Sequence, residues 1–123
     1  MAVQTYALMV TAAQSIDSVM RTLSDPTRRA IYERIVTARE ATVRTLTDYA
    51  RVSQPAVSQH LKVLQEASLI VGRREGRNTF YRADPRGLRP LAEWMEEHRR
   101  FWEESFDRLG GYLRELQRKK DQP

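Results

Sequence analysis

Three features predict a mostly α-helical chain with one small β-hairpin. Apolar residues recur at steps of three and four through most of the length, two helix starts are marked by proline, and one arginine-rich segment of β-type residues surrounds Gly-Arg-Asn. At 123 residues the chain is the size of one ordinary domain and can bury one modest core. Hydrophobic residues make up 41% and charged residues 30%, a globular composition. No apolar run approaches the roughly 20 residues of a membrane-spanning helix. The opening MAVQTYALMVTAAQS lacks the basic leader and sustained apolar core of a secretory signal, so a cytoplasmic address fits best and no membrane partner is expected. There is no cysteine, which excludes disulfides, thiolate metal sites and cysteine nucleophiles.

After an N-terminal extension of residues 1–14, SIDSVMRTL places Ile16, Val19, Met20 and Leu23 on one stripe of a first helix that stops at SDP. Asp25 before Pro26 starts a second. The carboxylate can accept from free first-turn amides, and proline's missing donor costs nothing there. Ala30, Ile31, Ile35 and either Val36 or Ala38 are expected to face inward. A third, shorter helix is predicted from about Val43 to Ala50, with Val43, Leu46 and Ala50 inward. RVS then turns the chain before Pro55 opens the fourth, and so short a connection makes the pair a helix-turn-helix. On the fourth helix Val57, Leu61 and Leu64 share one side. IVGRRE and TFYRA follow as two strands, with Gly76 and Asn78 suited to the positive φ of a tight hairpin. From Leu88 onward, Leu91, Met95, His98, Trp102, Phe106, Leu109, Leu113 and Leu116 form a helical seam that Trp94 and Phe101 widen. Gly110 and Gly111 are expected to bend or break it, at roughly 1 kcal/mol each relative to alanine.

The polar side of the fourth helix has no apolar partner to serve. Pro55, Ser58, Gln59, Lys62 and Glu66 lie there at helical spacing. The formal charge is +5, and residues 70–89 hold six arginines, Arg73, Arg74, Arg77, Arg82, Arg86 and Arg89, against Glu75 and Asp84. Such a patch attracts a polyanion, although a charge run is often only a solvated surface. A helix-turn-helix followed by a basic hairpin is the element order of a winged helix, whose second motif helix enters the major groove of double-stranded DNA. Glutamine can pair an acceptor and a donor with adenine, serine can reach bases or phosphate, and lysine supplies charge. Gln54, Ser58, Gln59 and Lys62 are therefore the expected groove contacts, within a recognition segment running from Ser53 through Pro55 to Lys62. Arg73, Arg74, Arg77 and Asn78 of the hairpin are expected on the DNA backbone. The competing reading is a solvated face.

LSDPTRRAIYERI, SQPAVSQHLKVLQEASLI and RREGRNTFYRAD, in this order and spacing, resemble the ArsR-type family of winged-helix transcriptional repressors over about residues 16–84. The resemblance implies a homodimer, paired through terminal helices, that blocks transcription from an operator until an effector releases it. The DNA-binding part would be residues 15–87 and the dimerisation helix 88–123, within one compact domain. Ile16, Val19, Met20, Leu91, Trp94, Met95, His98, Trp102, Phe106, Leu109 and Leu113 are the expected dimer contacts. The family's Ser-x-His-Leu pattern falls on Ser58, Gln59, His60 and Leu61, placing His60 near DNA or, equally, in the protein interior. Thiolate ligands of the arsenic and cadmium sensors would fall where this chain has Thr42, Arg44 and Thr47. A second family metal site would come near His98, with Gly87 and Phe101 where further ligands belong. The chain thus resembles the branch lacking thiol ligands, and no metal or other cofactor is expected.

An enzyme is not expected either: there is no glycine-rich phosphate loop, metal-ligand pair at helical spacing or nucleophile with a plausible base. Two alternatives stand beside the operator-binding repressor, a metal-responsive repressor with a histidine and carboxylate site and a winged-helix module that docks on an acidic protein. The effector and the operator cannot be read from the residues.

Overall fold

The computed structural model describes residues 16–122. Helix α1 covers residues 16–22 of that span, followed by α2 (Pro26–Ala38), α3 (Val43–Ala50), α4 (Gln54–Glu66), strands β1 (Ile70–Glu75) and β2 (Asn78–Ala83), a 3-10 turn (Pro85–Leu88), α5 (Arg89–Glu97) and α6 (Arg99–Lys120). The expected extension at residues 1–14 lies outside the described residues. The chain divides into two compact units with the boundary between Leu91 and Ala92.

In the first unit α2, α3 and α4 each start where a side chain can take up free amides. Asp25 accepts from the Arg28 amide at 2.9 Å, which holds its carboxyl below the ordinary value. Thr42 and Thr45 form a reciprocal capping box on α3. Ser53 caps α4 through the Ala56 amide at 3.2 Å. The α1 end is held by the two arginines of SDPTRR: Arg28 Nε donates to the Thr22 carbonyl at 2.6 Å and Arg29 Nη1 to the Leu23 carbonyl at 2.8 Å. Arg51 takes the left-handed conformation, φ 57°, and its N–H closes α3 on the Thr47 carbonyl. With Val52 and the cap Ser53 it makes the three-residue turn between α3 and α4.

Ile31, Tyr32, Ile35, Ala41, Leu46, Val57, Leu61, Leu64, Leu69 and Ile70 form the core, with Val43, Ala50, Tyr81 and Ala83 packed against it. The inward face of α2 differs from expectation: Tyr32 is buried, whereas Val36 and Ala38 are exposed. The buried stripe centres on Ile31 and Ile35, and Val36 is rotated about 100° past Ile35. Ala38 is the last residue before Arg39, at φ 72°, turns the chain away.

The hairpin pairs β1 and β2 antiparallel, from Ile70 opposite Ala83 to Glu75 opposite Asn78. Gly76 alone takes a positive φ, 62°, while Asn78 begins β2. A two-residue Gly76-Arg77 turn with positive φ only at its first position fits the II′ class, so the expected positive φ at Asn78 is not needed. On the outer edge of β2, Tyr81 exchanges both backbone hydrogen bonds with Ala41, at 3.0 and 2.8 Å. This bridge fastens the hairpin to the linker between α2 and α3.

The second unit is helical and is broken at His98 rather than at the glycines. The Trp94 carbonyl, which a continuous helix would pair with the His98 amide, instead lies 2.7 Å from His98 Nδ1. A carbonyl can only accept, so Nδ1 carries a proton and donates. The His98 amide moves to the Met95 carbonyl at 3.2 Å, one residue nearer, tightening the last turn. Gly110 and Gly111 stay inside a continuous α6. Their propensity cost of roughly 1 kcal/mol each is smaller than that of freeing a helix end's unpaired backbone groups.

Candidate nucleic-acid interface

On α4 the groove-side expectation and the geometry agree on one face. Ser53, Gln54, Pro55, Ser58, Gln59 and Lys62 are exposed, while Val57, Leu61 and Leu64 hold the opposite face in the core. The helix is therefore fixed along its inner side and presents amides, a hydroxyl and an ammonium outward. Ser53 is partly committed, since its oxygen caps the helix. His60 stands apart from the face. It flanks the buried stripe, half-buried, and its Nδ1 is enclosed with no hydrogen-bond partner.

Strand alternation sorts the hairpin arginines. Arg74 shares a sheet face with Ile70, Gly72, Tyr81 and Thr79, the face that packs towards α4. Gly72 makes room there, for a Cβ would meet Thr79 Cγ2 at 3.0 Å and Tyr81 Cε1 at 3.1 Å, with Gln65 of α4 just beyond. Arg77 and Asn78 are exposed at the tip. Arg73 faces the other way and is committed to protein: Nη1 donates to Glu40 at 2.6 Å and Nη2 to Glu75 at 3.1 Å. Arg86 is bound to Asp84, whose carboxylate also accepts the Arg86 amide and is held below its ordinary pKa mainly by the Arg86 side chain. The sequence alone counted six arginines as one patch. Pairing takes up Arg73 and Arg86; Arg74, on the α4 side, and Arg77, at the tip, are the hairpin cations presented beside and beyond α4, while Arg82, also exposed, lies on the opposite face with Arg73.

The seam residues are mostly uncovered. Met20, Trp94, Met95, Trp102, Phe106, Leu109 and Leu113 are exposed, Phe106 at 59% and Leu113 at 55%. Ile16, Leu91 and His98 are half-buried, and Val19, at 2%, is already buried within one chain. Phe101, Leu116 and Tyr112 extend the apolar surface of α6 to an arc about 140° wide. Tyr112 was legible, three turns beyond Phe101, but lies off the seam's own steps of three and four.

The metal positions of the resemblance do not fit a metal. No group of three or more His, Asp or Glu side chains among the described residues could hold an ion. His98 Nδ1 is spent on the Trp94 carbonyl. Gly87 can carry no ligand, because a Cβ there would lie 2.3 Å from the Ser68 carbonyl oxygen. Among the described residues no helix is long and apolar enough to cross a membrane.

Known proteins share this fold. A helix-turn-helix domain model matches residues 23–73. The chain is 43% identical over 89 residues to the HTH-type transcriptional regulator Rv2034 of Mycobacterium tuberculosis, covering 72% of this chain and 79% of that protein. It is 29% identical over 80 residues to the transcriptional repressor SdpR of Bacillus subtilis, covering 65% of this chain and 88% of that one. The crystal structure of a possible transcriptional regulator for arsenical resistance matches with a TM-score of 0.60 at 37% identity, over 76% of this chain and 94% of that chain.

Proposed function

The chain belongs to the ArsR-type family of winged-helix transcriptional regulators, and we propose that within it the protein works as a homodimeric repressor on a two-fold symmetric operator. It is a DNA-binding regulator of transcription and not an enzyme. The observation that carries the finer reading is the exposed polar face of α4, opposite a fully buried one. Gln54, Ser58, Gln59 and Lys62 read base edges in the major groove, and Arg74, Arg77 and Asn78 meet the adjacent backbone or minor groove. The exposed apolar arc of α5 and α6 supports pairing with a second copy, since a surface of that extent marks an interaction site. Two copies related by a two-fold axis would present two recognition helices to inverted half-sites. Repression follows from occupancy, as a bound dimer excludes other proteins from the same duplex.

Metals are not the effector in this reading, because the donor set is missing. Selection of binding sites from random duplexes tests the whole reading. Enrichment of inverted half-sites about one or two helical turns apart is expected. Retention by charge alone, without an enriched sequence, would sink the operator assignment and favour the docking module.

A further inference from the structure

Glu40 was no part of the expected interface, yet it is the partner that removes Arg73 from it. It stands on the linker between α2 and α3, next to Ala41, whose backbone is bridged to Tyr81 of β2. Its Oε1 accepts from Arg73 Nη1 at 2.6 Å, Glu75 accepts from Nη2 at 3.1 Å, and the guanidinium carbon lies 5.4 Å from the centre of the Phe80 ring. The hydrogen bond from Arg73 holds the Glu40 carboxyl below its ordinary value, and the same bond raises Arg73. An isolated exposed ion pair contributes little. This one closes over a backbone bridge and an aromatic ring, so three contacts fix one side chain.

We propose that Glu40 is a positioning residue for the hairpin: with Arg73 it clamps β1 to the α2–α3 linker, and it withholds that arginine from DNA, leaving Arg74 on the α4 side and Arg77 at the tip as the phosphate-facing charges. The withholding rests on the DNA-binding reading above, whereas the clamp belongs to the free protein. A guanidinium that already has two carboxylates releases no counterions from DNA, so it adds nothing to the salt dependence of binding.

Two measurements test the two halves. In DNA-free protein, amide exchange at Ala41 and Tyr81 should accelerate severalfold in Glu40→Gln and in Arg73→Gln, and not in Arg44→Gln; unchanged exchange in the first two removes the clamp. On sheared double-stranded DNA of mixed sequence, the slope of log affinity against log salt should be unchanged in Arg73→Gln. It should weaken by about one per subunit in Arg77→Ala and steepen by about one in Glu40→Gln. The Glu40→Gln/Arg73→Gln pair should return to the wild-type slope. If Arg73→Gln weakened the slope as Arg77→Ala does, Arg73 would be a phosphate ligand and the withholding would be overturned. If wild-type protein did not bind that DNA at all, the proposed function would fall and amide exchange alone would decide the clamp.

Discussion

Gly87 is required by its neighbours rather than by its own backbone. Its φ is not among the positive ones, but Ser68 O, Ser68 C and the Leu69 Cα crowd the place of a side chain at 2.3, 2.6 and 2.8 Å. These are backbone atoms, which cannot swing aside. Ser68 itself is left-handed, φ 59°, in the cap that ends α4 through Leu69 N–H to the Leu64 carbonyl. Gly87→Ala should therefore destabilise the fold by about 3 kcal/mol, at the upper end of overpacking, read as a shift of the urea midpoint at constant slope. A shift below about 0.5 kcal/mol would mean that the chain relaxes around the methyl. Nearby, Asp84 is buried and caps the 3-10 turn. Its pKa is depressed, so the stability it contributes is present above the ordinary carboxylate range and is lost as pH falls through the lower folded value. Asp84→Asn should accordingly be less stable than wild type at neutral pH, with the gap narrowing on acidification. A gap that stays constant between pH 7 and pH 2 would assign the loss to geometry rather than charge.

At the scale of elements, the helix starts were legible because their signals are local. Asp25-Pro26 placed the start of α2 and the RVS turn before Pro55 that of α4, and α3 spans Val43–Ala50 as expected, although its Thr42 cap and the Ser53 cap of α4 emerge only in the structure. What the pattern missed depends on contacts between distant residues or on a side chain replacing a backbone bond. Ala41 finds Tyr81 and Glu40 finds Arg73 only once the hairpin has folded back. The break at His98 arises from a ring nitrogen that outcompetes an amide, which periodicity cannot register. The candidate contacts on α4 were readable because burial of Val57, Leu61 and Leu64 dictates which side remains. The hairpin charges were not separable without knowing the strand register. Base and backbone contacts then fail differently. Gln59→Ala should cost about 1 to 3 kcal/mol on the selected operator and much less on random DNA. Arg77→Ala should weaken all duplexes alike and lower the salt slope by roughly one per subunit. Titrations at two salt concentrations compare them, and unchanged binding in both variants would return the polar face to solvent.

For the whole molecule, the proposed function makes two predictions about the C-terminal helices. Zinc, cadmium or arsenite at stoichiometric concentration should change operator affinity by no more than about twofold, below the 5- to 150-fold of typical allosteric coupling. A tight zinc site lost in His98→Ala would contradict that.

Assembly gives the sharper test, because in the proposed function a second copy covers the exposed apolar arc of α6. Phe106 and Leu113 lie seven residues apart, two turns along one stripe, with Trp102 stacked on Phe106 at 6.1 Å and Leu109 between. Burying a side chain of this size yields about 1.5 to 3 kcal/mol, and a carboxylate placed in such a seam loses that gain and adds a desolvation cost. Wild-type protein should sediment as a dimer at micromolar concentration. Leu113→Glu should raise the dimer dissociation constant at least about 100-fold, the equivalent of roughly 2.7 kcal/mol. Because Leu113 is exposed on α6, in the unit beyond Leu91, the thermal unfolding of the first unit should stay within a few degrees of wild type. Binding to a duplex with two half-sites should then fall towards that of a single half-site, since linkage between the two recognition helices is lost. A wild-type chain that stays monomeric while occupying both half-sites would show that the exposed arc serves some other partner and that each subunit reads DNA alone.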